Sequence, residues 1–393
     1  MRILKITGGY PPAFAQGGTA TAAHSLMKAL KRQGADVAVL TLNINGKERL
    51  EPSNGFVDYE GIPVWYCRGE MHPVPYFSLE FSRVLSEHIN DYDIVLLDSN
   101  WTGYGLSTGK ICRENKKPYI MYSHGCLDPS RLKIGRFKKN FWWHFLDAPL
   151  YNNANAVVAL TRAEVDHLRN KGVRTPITVI PNGVEKDPDR ERACIEELAE
   201  INPDLVPDKY FLFLGRLDPI KGIDLLMKAY ARLIQGIQEP LHRLVIAGPS
   251  HKNYIDQLLA LHEDLRLGDK VVFTGMVQGV GKWSLMKYAK AFVLTSLGEG
   301  LPMTALEALS IGTPVILSKA CYLPEISEWA AGLEIDPQVD SIEKALKWAI
   351  ENPDEHKEMS QKGIEMVEKT FTWEKVAQKT IDLCERVLKE RKA

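Results

Sequence analysis

The sequence predicts an α/β protein with two facing Rossmann-like domains that each hold a doubly wound parallel sheet. Short apolar runs rich in β-branched residues alternate with helical patterns along the 393 residues, which is the rhythm of strand–helix–strand units. Runs such as 94–97 and 211–214 are apolar throughout, as expected of parallel strands that are buried on both faces. The chain is also long enough for two domains.

The order of the elements follows from the same patterns. In the first half, strands are predicted at 3–7, 37–42, 94–98, 119–122, 156–160 and 177–180, with helices such as 19–33 and 164–171 between them. In the second half, strands are predicted at 210–214, 243–247, 271–274, 291–295 and 314–317. Parallel sheets of this kind bind ligands at the carboxyl ends of their strands, so we expect the site in an interdomain cleft.

The α/β rhythm breaks once, between Pro181 and Asp208, where proline, glycine and charged residues accumulate. This composition is typical of an interdomain connection. We therefore predict an N-terminal domain over residues 1–185, a C-terminal domain over 186–370 and a final helix over 371–393.

Composition excludes several classes of function. Lys and Arg number 49 against 50 Asp and Glu, and this balance argues against a nucleic-acid binder. Six scattered cysteines without a C-x-x-C pair indicate free thiols in a reducing compartment. No apolar run approaches the roughly 20 residues of a membrane span. We expect a cytoplasmic protein, free or at the inner face of the cell membrane, with no metal because no cluster has zinc-ligand spacing.

The most specific motif lies at residues 295–316, where a strand, a glycine-rich turn, a helix and a second strand follow one another. Glu299 in the turn and Glu307 on the helix lie eight residues apart and can accept hydrogen bonds from sugar hydroxyls on either side of a phosphate group. A helix N-terminus favours an anion such as a diphosphate. The backbone that opens this helix belongs to Gly300, Leu301, Met303 and Thr304.

A second motif at residues 213–222 places Arg216 and Lys221 just after a buried strand. A forked guanidinium and an ammonium from one loop form a phosphate clamp, which would stabilise charge on a departing diphosphate. The plainer alternative is a structural salt bridge for Arg216 and a lysine at a helix start for Lys221.

Taken together, Gly-Arg-x4-Lys-Gly and Glu-Gly-x6-Glu-Ala resemble the donor half of the retaining GT-B glycosyltransferases of family 4, and the resemblance extends over the whole chain. It implies that the C-terminal domain binds a nucleotide-sugar and the N-terminal domain the acceptor, with the final helix crossing back to the N-terminal domain. It also implies that Arg216 and Lys221 hold the diphosphate, that Glu299 contacts the sugar and that Glu307 contacts the ribose. The nucleobase would lie against Gly275, Met276 and Val277.

The resemblance also gives roles to residues of the first half. Gly17 and Gly18 match the family's N-terminal glycine loop, although a plain turn is the alternative. His124 precedes a glycine after a predicted strand, where the family has a histidine against the donor sugar; a structural histidine is the alternative. Asp128 is a candidate acceptor contact, against a turn-forming Asp-Pro.

A basic-aromatic segment at residues 131–145 contains no acidic residue. Basic side chains beside amphipathic aromatics suit an anionic membrane face, whereas a core helix with a solvated basic end is the alternative. The residues predicted to contact the membrane are Arg131, Lys133, Arg136, Lys138, Lys139, Trp142 and Trp143.

The resemblance implies retaining transfer of a hexose from a UDP- or GDP-sugar to an acceptor hydroxyl, without a cofactor or metal. A glycan or lipid-linked acceptor in cell-surface glycan synthesis is the expected partner. Two other functions stay open at this point: an NDP-sugar 2-epimerase, and a non-catalytic nucleotide-sugar-binding protein.

Overall fold

The computed structural model describes residues 1–13, 18–70, 74–132, 136–185, 187–236, 242–250 and 253–391, with the backbone alone for Ser130, Arg131 and Arg136. The strands are β1 (Arg2–Thr7), β2 (Asp36–Leu42), β3 (Ile44–Asn45), β4 (Glu48–Arg49), β5 (Val57–Tyr59), β6 (Ile62–Cys67), β7 (Ile94–Asp98), β8 (Tyr119–Tyr122), β9 (Ala156–Ala159), β10 (Ile177–Val179), β11 (Tyr210–Leu214), β12 (Arg243–Ala247), β13 (Val271–Gly275), β14 (Ala291–Leu294), β15 (Val315–Ser318) and β16 (Gly332–Ile335).

The helices are α1 (Gly18–Arg32), α2 (Leu79–His88), α3 (Gly103–Glu114), α4 (Pro129–Leu132), α5 (Arg136–Trp142), α6 (Ala148–Asn152), α7 (Arg162–Asn170), α8 (Pro188–Glu191), α9 (Ile195–Ile201), α10 (Ile223–Gly236), α11 (Tyr254–Asp264), α12 (Gly279–Lys287), α13 (Met303–Ser310), α14 (Glu325–Glu328), α15 (Val339–Glu351), α16 (Pro353–Thr370) and α17 (Trp373–Glu390). None of the helices in the described ranges is both long and apolar enough to cross a bilayer.

The chain forms two compact units. The first comprises Met1–Gly183 together with Thr372–Ala393, and the second comprises Val184–Phe371. Both are parallel-sheet Rossmann-like domains, so the predicted α/β class is confirmed.

The sheet of the first unit has the strand order β10-β9-β8-β7-β1-β2-β6-β5. Its neighbouring strands are parallel except for the β5–β6 pair at one edge. Successive residues of β1 enter different cores: Ile3 packs with α1 and α17, while Leu4 and Ile6 pack with α2 and α3. Side chains of a strand alternate between the two faces of the sheet. Helices therefore cover both faces, which explains why β1 is apolar at consecutive positions.

The sheet of the second unit has the order β13-β12-β11-β14-β15-β16 and is parallel throughout. The strand order reverses between β11 and β14, which lie side by side at the centre. In a doubly wound sheet the crevice for a ligand opens at this switch point, outside the carboxyl ends of the strands.

The predicted interdomain connection contains more structure than its composition indicates. Helices α8 and α9 lie between Pro181 and Asp208, and both pack against α12 inside the second unit. Leu198 is the buried anchor of α9. The charged residues of this stretch form the solvated sides of two short helices, and a single apolar anchor is too weak a pattern to be recognised in the sequence.

Sequence patterns missed three strands of the main sheets, β5, β6 and β16. Strand β6 contains Pro63, which normally argues against a strand. It pairs with β2 on one side and with the short edge strand β5 on the other. Strand β16 is four residues long and begins at Gly332. A Cβ at Gly332 would overlap the carbonyl of Val315 on β15, so this glycine permits close strand pairing.

Candidate active site

The loops that follow β11 and β14 meet at the carboxyl edge of the second sheet. The Leu297 amide donates to the Ile220 carbonyl at 2.7 Å, and the Thr295 hydroxyl donates to the Gly222 carbonyl at 2.8 Å. Because β11 and β14 are adjacent and parallel, their carboxyl ends lie side by side. The two sequence motifs therefore come together, although they are far apart in the chain.

Glycine makes this contact possible. Gly222 has a left-handed backbone with φ of 64°, and a Cβ there would overlap the Thr295 carbonyl oxygen. Gly248, which follows β12, has φ of 136°, and its Cβ would overlap the Gly215 carbonyl. Only glycine adopts such conformations routinely while leaving room for a neighbouring backbone. The loops are thus held close by backbone contacts.

Lys221 and Glu299 form an ion pair at the centre of these loops. The Lys221 Nζ lies 2.5 Å from the Glu299 Oε1. The Ser296 hydroxyl donates to the same oxygen at 2.7 Å, and the Glu299 amide donates to the Ala320 carbonyl at 3.0 Å. Glu299 is 7% exposed. A carboxylate with two donors on one oxygen is fixed in orientation, and it keeps its second oxygen for a ligand hydroxyl.

Arg216 lies at the rim of the same loops. Its side chain is 58% exposed, and its Nη2 is 3.4 Å from the Asp218 Oδ2. An exposed pair of this kind is weak, so the guanidinium is available to a phosphate. This geometry also shows that the salt-bridge alternative for Arg216 and the clamp are compatible.

Glu307 lies on α13, about one helical turn after Met303, and the preceding glycine-rich turn contains the buried Gly300 and Leu301. Its Oε1 is 2.8 Å from the Nζ of Lys282, which lies on α12. Met303 and Thr304, in the first turn of α13, are half-buried. Lys282 was not among the site residues predicted from the sequence. No local pattern distinguishes it from a surface lysine, because its partner lies on a different helix.

The predicted nucleobase segment lies at the end of β13, next to β12 in the same sheet. Gly275 has φ of 70°, and its carbonyl accepts from the Gly248 amide at 2.7 Å. Met276 is exposed and Val277 is half-buried. All donor-binding residues predicted in the second half therefore lie at the carboxyl edge of one sheet, or on the helix that starts there.

In the first unit, a buried polar cluster occupies the carboxyl ends of three adjacent strands. Asp98 ends β7 and lies within ion-pair distance of Lys5 of β1 and of His124, which follows β8. The His124 Nε2 lies 2.9 Å from the Asp98 Oδ1. The Lys5 Nζ also lies 4.2 Å from the ring centroid of Tyr122, a cation–π contact. Only His124 was predicted from the sequence.

Electrostatics favour the ionised form of Asp98. Burial alone would raise the pKa of Asp98, but Lys5 and His124 outweigh burial and hold this pKa below its ordinary value. Burial lowers the pKa of Lys5, and its attraction to Asp98 opposes that change. The 2.9 Å contact with the Asp98 carboxylate restricts the position of the His124 imidazole. His124 can therefore have a structural role, through its contact with Asp98, together with the predicted role of positioning a sugar.

A cavity of about 260 Å³ opens beside this cluster. Described residues that line it include Gly8, Thr19, Asn100, Tyr104 and His124. Gly18 starts α1 next to Thr19, and a Cβ at Gly18 would meet no atom within 4 Å. Gly17 lies outside the described residues. The cavity is large enough for a sugar-sized group and is lined by hydroxyl, amide and imidazole groups.

The turn that carries His124 is held by a buried carboxylate. Glu164 of α7 accepts from the Gly125 amide, from the Ser123 hydroxyl at 2.7 Å and from the Leu160 amide at 2.6 Å. His124 itself has φ of 48°, a left-handed conformation that needs such support. Asp128 lies just before α4, is buried, and is not among the described residues that line the cavity.

The membrane contact predicted for Trp143 requires correction. Trp143 is 6% exposed and its Nε1 donates to the Lys171 carbonyl at 3.0 Å, so it cannot contact a membrane. Trp142 is half-buried and donates to the Asp147 Oδ1 at 3.0 Å. Of the predicted basic contacts, Lys133 and the side chains of Arg131 and Arg136 lie outside the description, whereas Lys138 is exposed and Lys139 half-buried.

Among the described residues, no group of three or more His, Cys, Asp or Glu side chains has the arrangement of a metal site. The requirement for a metal or cofactor therefore stays a matter for experiment.

Two protein families match successive segments of the chain and together span most of it. Residues 16–188 match Glycosyltransferase Family 4, and residues 195–366 match Glycosyl transferases group 1. An uncharacterized glycosyltransferase of Methanocaldococcus jannaschii is 26% identical, with 98% of this chain and 97% of that protein aligned. The alpha-monoglucosyldiacylglycerol synthase of Streptococcus pneumoniae is 26% identical over 82% of this chain and 72% of its own length.

Solved structures share the fold at low sequence identity. Sucrose-phosphate synthase from Thermosynechococcus elongatus superposes with a TM-score of 0.75 at 19% identity, covering 99% of this chain and 100% of that one. Anabaena HepE in complex with UDP and glucose superposes with a TM-score of 0.74 at 18% identity, covering 98% and 100%. These similarities show the GT-B fold.

Proposed function

The chain belongs to the GT-B glycosyltransferases, with a Glycosyltransferase Family 4 domain followed by a Glycosyl transferases group 1 domain, and we propose that it transfers a hexose from a UDP- or GDP-sugar with retention at the anomeric carbon. The observation that carries this proposal is the Lys221–Glu299 pair, at 2.5 Å, on two loops that meet at the switch point of the second sheet. A cation and a carboxylate side by side suit a ligand that has a phosphate next to a sugar hydroxyl.

In the proposed complex, the donor diphosphate takes the place of Glu299 as the partner of Lys221. The exposed Arg216 guanidinium closes on the same phosphates, and the opening of α13 contributes its dipole. Glu299, once released from Lys221, accepts a hydroxyl of the sugar. Glu307 accepts a ribose hydroxyl in exchange for its contact with Lys282, and the segment Gly275–Val277 lies against the base.

The reaction would proceed by front-side attack. The acceptor oxygen forms a bond to the anomeric carbon, the bond from that carbon to the phosphate oxygen breaks, and the acceptor proton passes to the departing phosphate. Arg216 and Lys221 stabilise the charge that develops on this leaving group. His124, oriented by Asp98, positions a sugar hydroxyl in the first unit. No step requires a metal, so we propose turnover without one.

Properties of related proteins support the substrate class. Anabaena HepE binds UDP-glucose in a solved complex, and a starch synthase from Arabidopsis thaliana binds ADP. The Streptococcus pneumoniae relative is named for a glycolipid product. A glycan or lipid-linked acceptor in cell-surface glycan synthesis is therefore our proposed acceptor class.

A panel of nucleotides tests the proposal directly. The protein is heated with UDP, GDP or ADP and with their hexose conjugates, without metal and then with Mg²⁺, and donor consumption is measured in parallel. We expect one nucleotide to raise Tm; at a ligand concentration of 100 Kd the stabilisation is about 2.7 kcal/mol. Glu307→Ala should abolish this rise, whereas Glu358→Ala, on the outer side of α16, should preserve it.

The products separate the remaining alternatives. Donor consumption that depends on an acceptor, with the sugar found on the acceptor, supports the transferase. Interconversion of the donor at C2 without acceptor would instead identify an epimerase, and binding without turnover across the acceptor panel would identify a binding protein. If no nucleoside diphosphate binds, the assignment of the second unit is wrong.

A further inference from the structure

Three phenylalanines form an exposed apolar face on the helical segment that runs from α5 into α6. Phe137, Phe141 and Phe145 are 91%, 66% and 59% exposed. They are spaced four residues apart, so they lie along one side of the helix. The rings of Phe141 and Phe145 are in contact, with centroids 4.8 Å apart. We call these three side chains the phenylalanine face.

The opposite side of this segment is anchored in the first unit. Trp143 is buried and hydrogen-bonded to the Lys171 carbonyl, as described above. Asp147 accepts from the Trp142 indole at 3.0 Å and from the Trp101 amide at 2.9 Å. The two tryptophans therefore fix the rotation of the helix and leave the phenylalanines directed outwards. Large apolar side chains that are exposed and contiguous mark an interaction surface.

The surroundings of the phenylalanine face are basic. Between Asp128 and Asp147 the sequence contains five Lys and Arg residues and no Asp or Glu, and of these five the structure describes the side chains of Lys138 and Lys139. Lys138 and Lys139 are neighbours of Phe137 on α5, and the Lys171 ammonium lies 3.3 Å from the Asn140 Oδ1 on the same helix. Apolar rings surrounded by lysines complement a surface that is negatively charged and has an apolar layer beneath it.

We propose that the phenylalanine face binds the surface of an anionic lipid bilayer, with the three rings at the boundary between headgroups and acyl chains and the lysines against lipid phosphates. Interfacial helices combine these two features. A second copy of the chain is a poorer occupant of this face. A phenylalanine buries about 150–250 Å², so the three together bury less than the roughly 800 Å² per partner of a stable interface. The like charges around the face would also repel each other.

This inference goes beyond the proposed reaction, because it concerns where the enzyme meets its acceptor. A lipid-linked acceptor would be presented at the same surface. Binding to lipid does not require turnover, so the two proposals can fail separately.

Co-sedimentation with vesicles tests the inference. The full chain is mixed with vesicles of phosphatidylcholine alone or with 30% phosphatidylglycerol, at about 0.1 M salt and without nucleotide. We expect binding to the anionic vesicles and at least a tenfold weaker association with the neutral ones. Raising the salt to about 1 M should weaken the binding, because the Debye length falls from roughly 10 Å to 3 Å.

Two variants and a matched control identify the surface. Phe137→Ser/Phe141→Ser/Phe145→Ser should reduce vesicle binding at least tenfold, and Lys138→Gln/Lys139→Gln should reduce it severalfold. The control Ile195→Ser/Val206→Ser/Leu259→Ser changes three exposed apolar residues of the second unit and should bind as the unaltered chain does. All variants must keep the Tm and the circular dichroism spectrum of the unaltered chain, both measured without nucleotide, which report an intact fold.

The inference is overturned if the unaltered chain does not bind anionic vesicles, or if the phenylalanine variant binds them as strongly as the unaltered chain does. It is also overturned if light scattering of the lipid-free protein shows a dimer that the phenylalanine variant abolishes, since the face would then belong to a second copy.

Discussion

At the scale of single residues, the cluster of Lys5, Asp98 and His124 combines stability with function. Lys5 is 1% exposed and Asp98 is its counter-ion, so each charge is tolerated in the interior only because of the other. The same carboxylate orients the imidazole of His124 toward the cavity of the first unit. A change at Asp98 is therefore expected to affect folding as well as the site.

Asp98→Asn should lower the free energy of unfolding by about 3–5 kcal/mol, because it leaves the Lys5 ammonium buried without a counter-ion. The loss should shrink as pH rises, since an unpaired buried lysine folds more readily in its neutral form. Urea titrations between pH 7 and pH 9 measure both effects. Adding Lys5→Met to the same chain should recover much of the stability. If Asp98→Asn alone is as stable as the unaltered protein, this account is wrong.

Lys221→Ala should lower kcat by 100-fold or more, comparable to the loss of a donor that stabilises a developing negative charge. The matched control is Lys228→Ala, because Lys228 forms an exposed pair with Asp224 on α10, in the same unit. Steady-state kinetics provide the measurement, with the donor that the nucleotide panel identifies. A change of only a few-fold in Lys221→Ala would remove the phosphate clamp from the mechanism.

At the scale of elements, the site depends on loops that approach each other closely. The loop after β11 and the loop after β14 are joined by backbone and hydroxyl contacts at Ile220 and Gly222. Motif spacing alone reveals neither contact. The reason is topological: β11 and β14 are sequence-distant strands that become neighbours where the winding of the sheet reverses.

Gly222→Ala tests this approach. A left-handed backbone costs a residue with a Cβ about 1–2 kcal/mol, and the overlap with the Thr295 carbonyl adds to this cost. We expect reduced stability in urea and reduced nucleotide affinity, because the loops that hold Lys221 and Glu299 must separate. Gly236→Ala, at the end of α10 where a Cβ meets no atom within 4 Å, should leave both unchanged. Equal behaviour of the two variants would argue against the close loop contact.

At the scale of the whole molecule, the first unit is discontinuous in sequence. Helix α17, from the end of the chain, packs on α1 and completes one of the two cores of the first unit. Its buried apolar residues are Trp373, Val376, Ala377, Leu383, Cys384 and Val387. The second unit, Val184–Phe371, is continuous and contains its complete sheet.

A chain that ends at Phe371 should therefore lose the first unit and keep the second. Each large buried side chain of α17 contributes about 1.5–3 kcal/mol, and together they are comparable to the usual 5–15 kcal/mol stability of a domain. Calorimetry and limited proteolysis should show an unfolded first unit, while the second still gains stability from the nucleotide. A chain ending at Glu390, which keeps α17, is the control. Intact melting of the first unit in the shorter chain would contradict the prediction.

The sequence by itself determined the fold class and the motifs of the second unit. Buried parallel strands must be apolar on both faces, so β1, β7 and β11 are recognisable from composition alone. The motif residues Arg216 and Glu299 stand out because glycines surround them in local patterns. Helices α8 and α9 and strand β16 escaped recognition, because short elements carry too few apolar residues for a periodic signal.

Tertiary structure alone decided which side chains meet and which face outwards. Asp98 and Glu164 contact the turn at His124 from two different elements, Lys5 pairs with Asp98 from a third, and no local pattern encodes that meeting. In the segment of α5, the sequence cannot rank aromatic side chains by burial, so the buried Trp143 was predicted to contact the membrane together with exposed aromatics. Burial depends on what packs against each side of a helix, and those neighbours are contributed by distant parts of the chain.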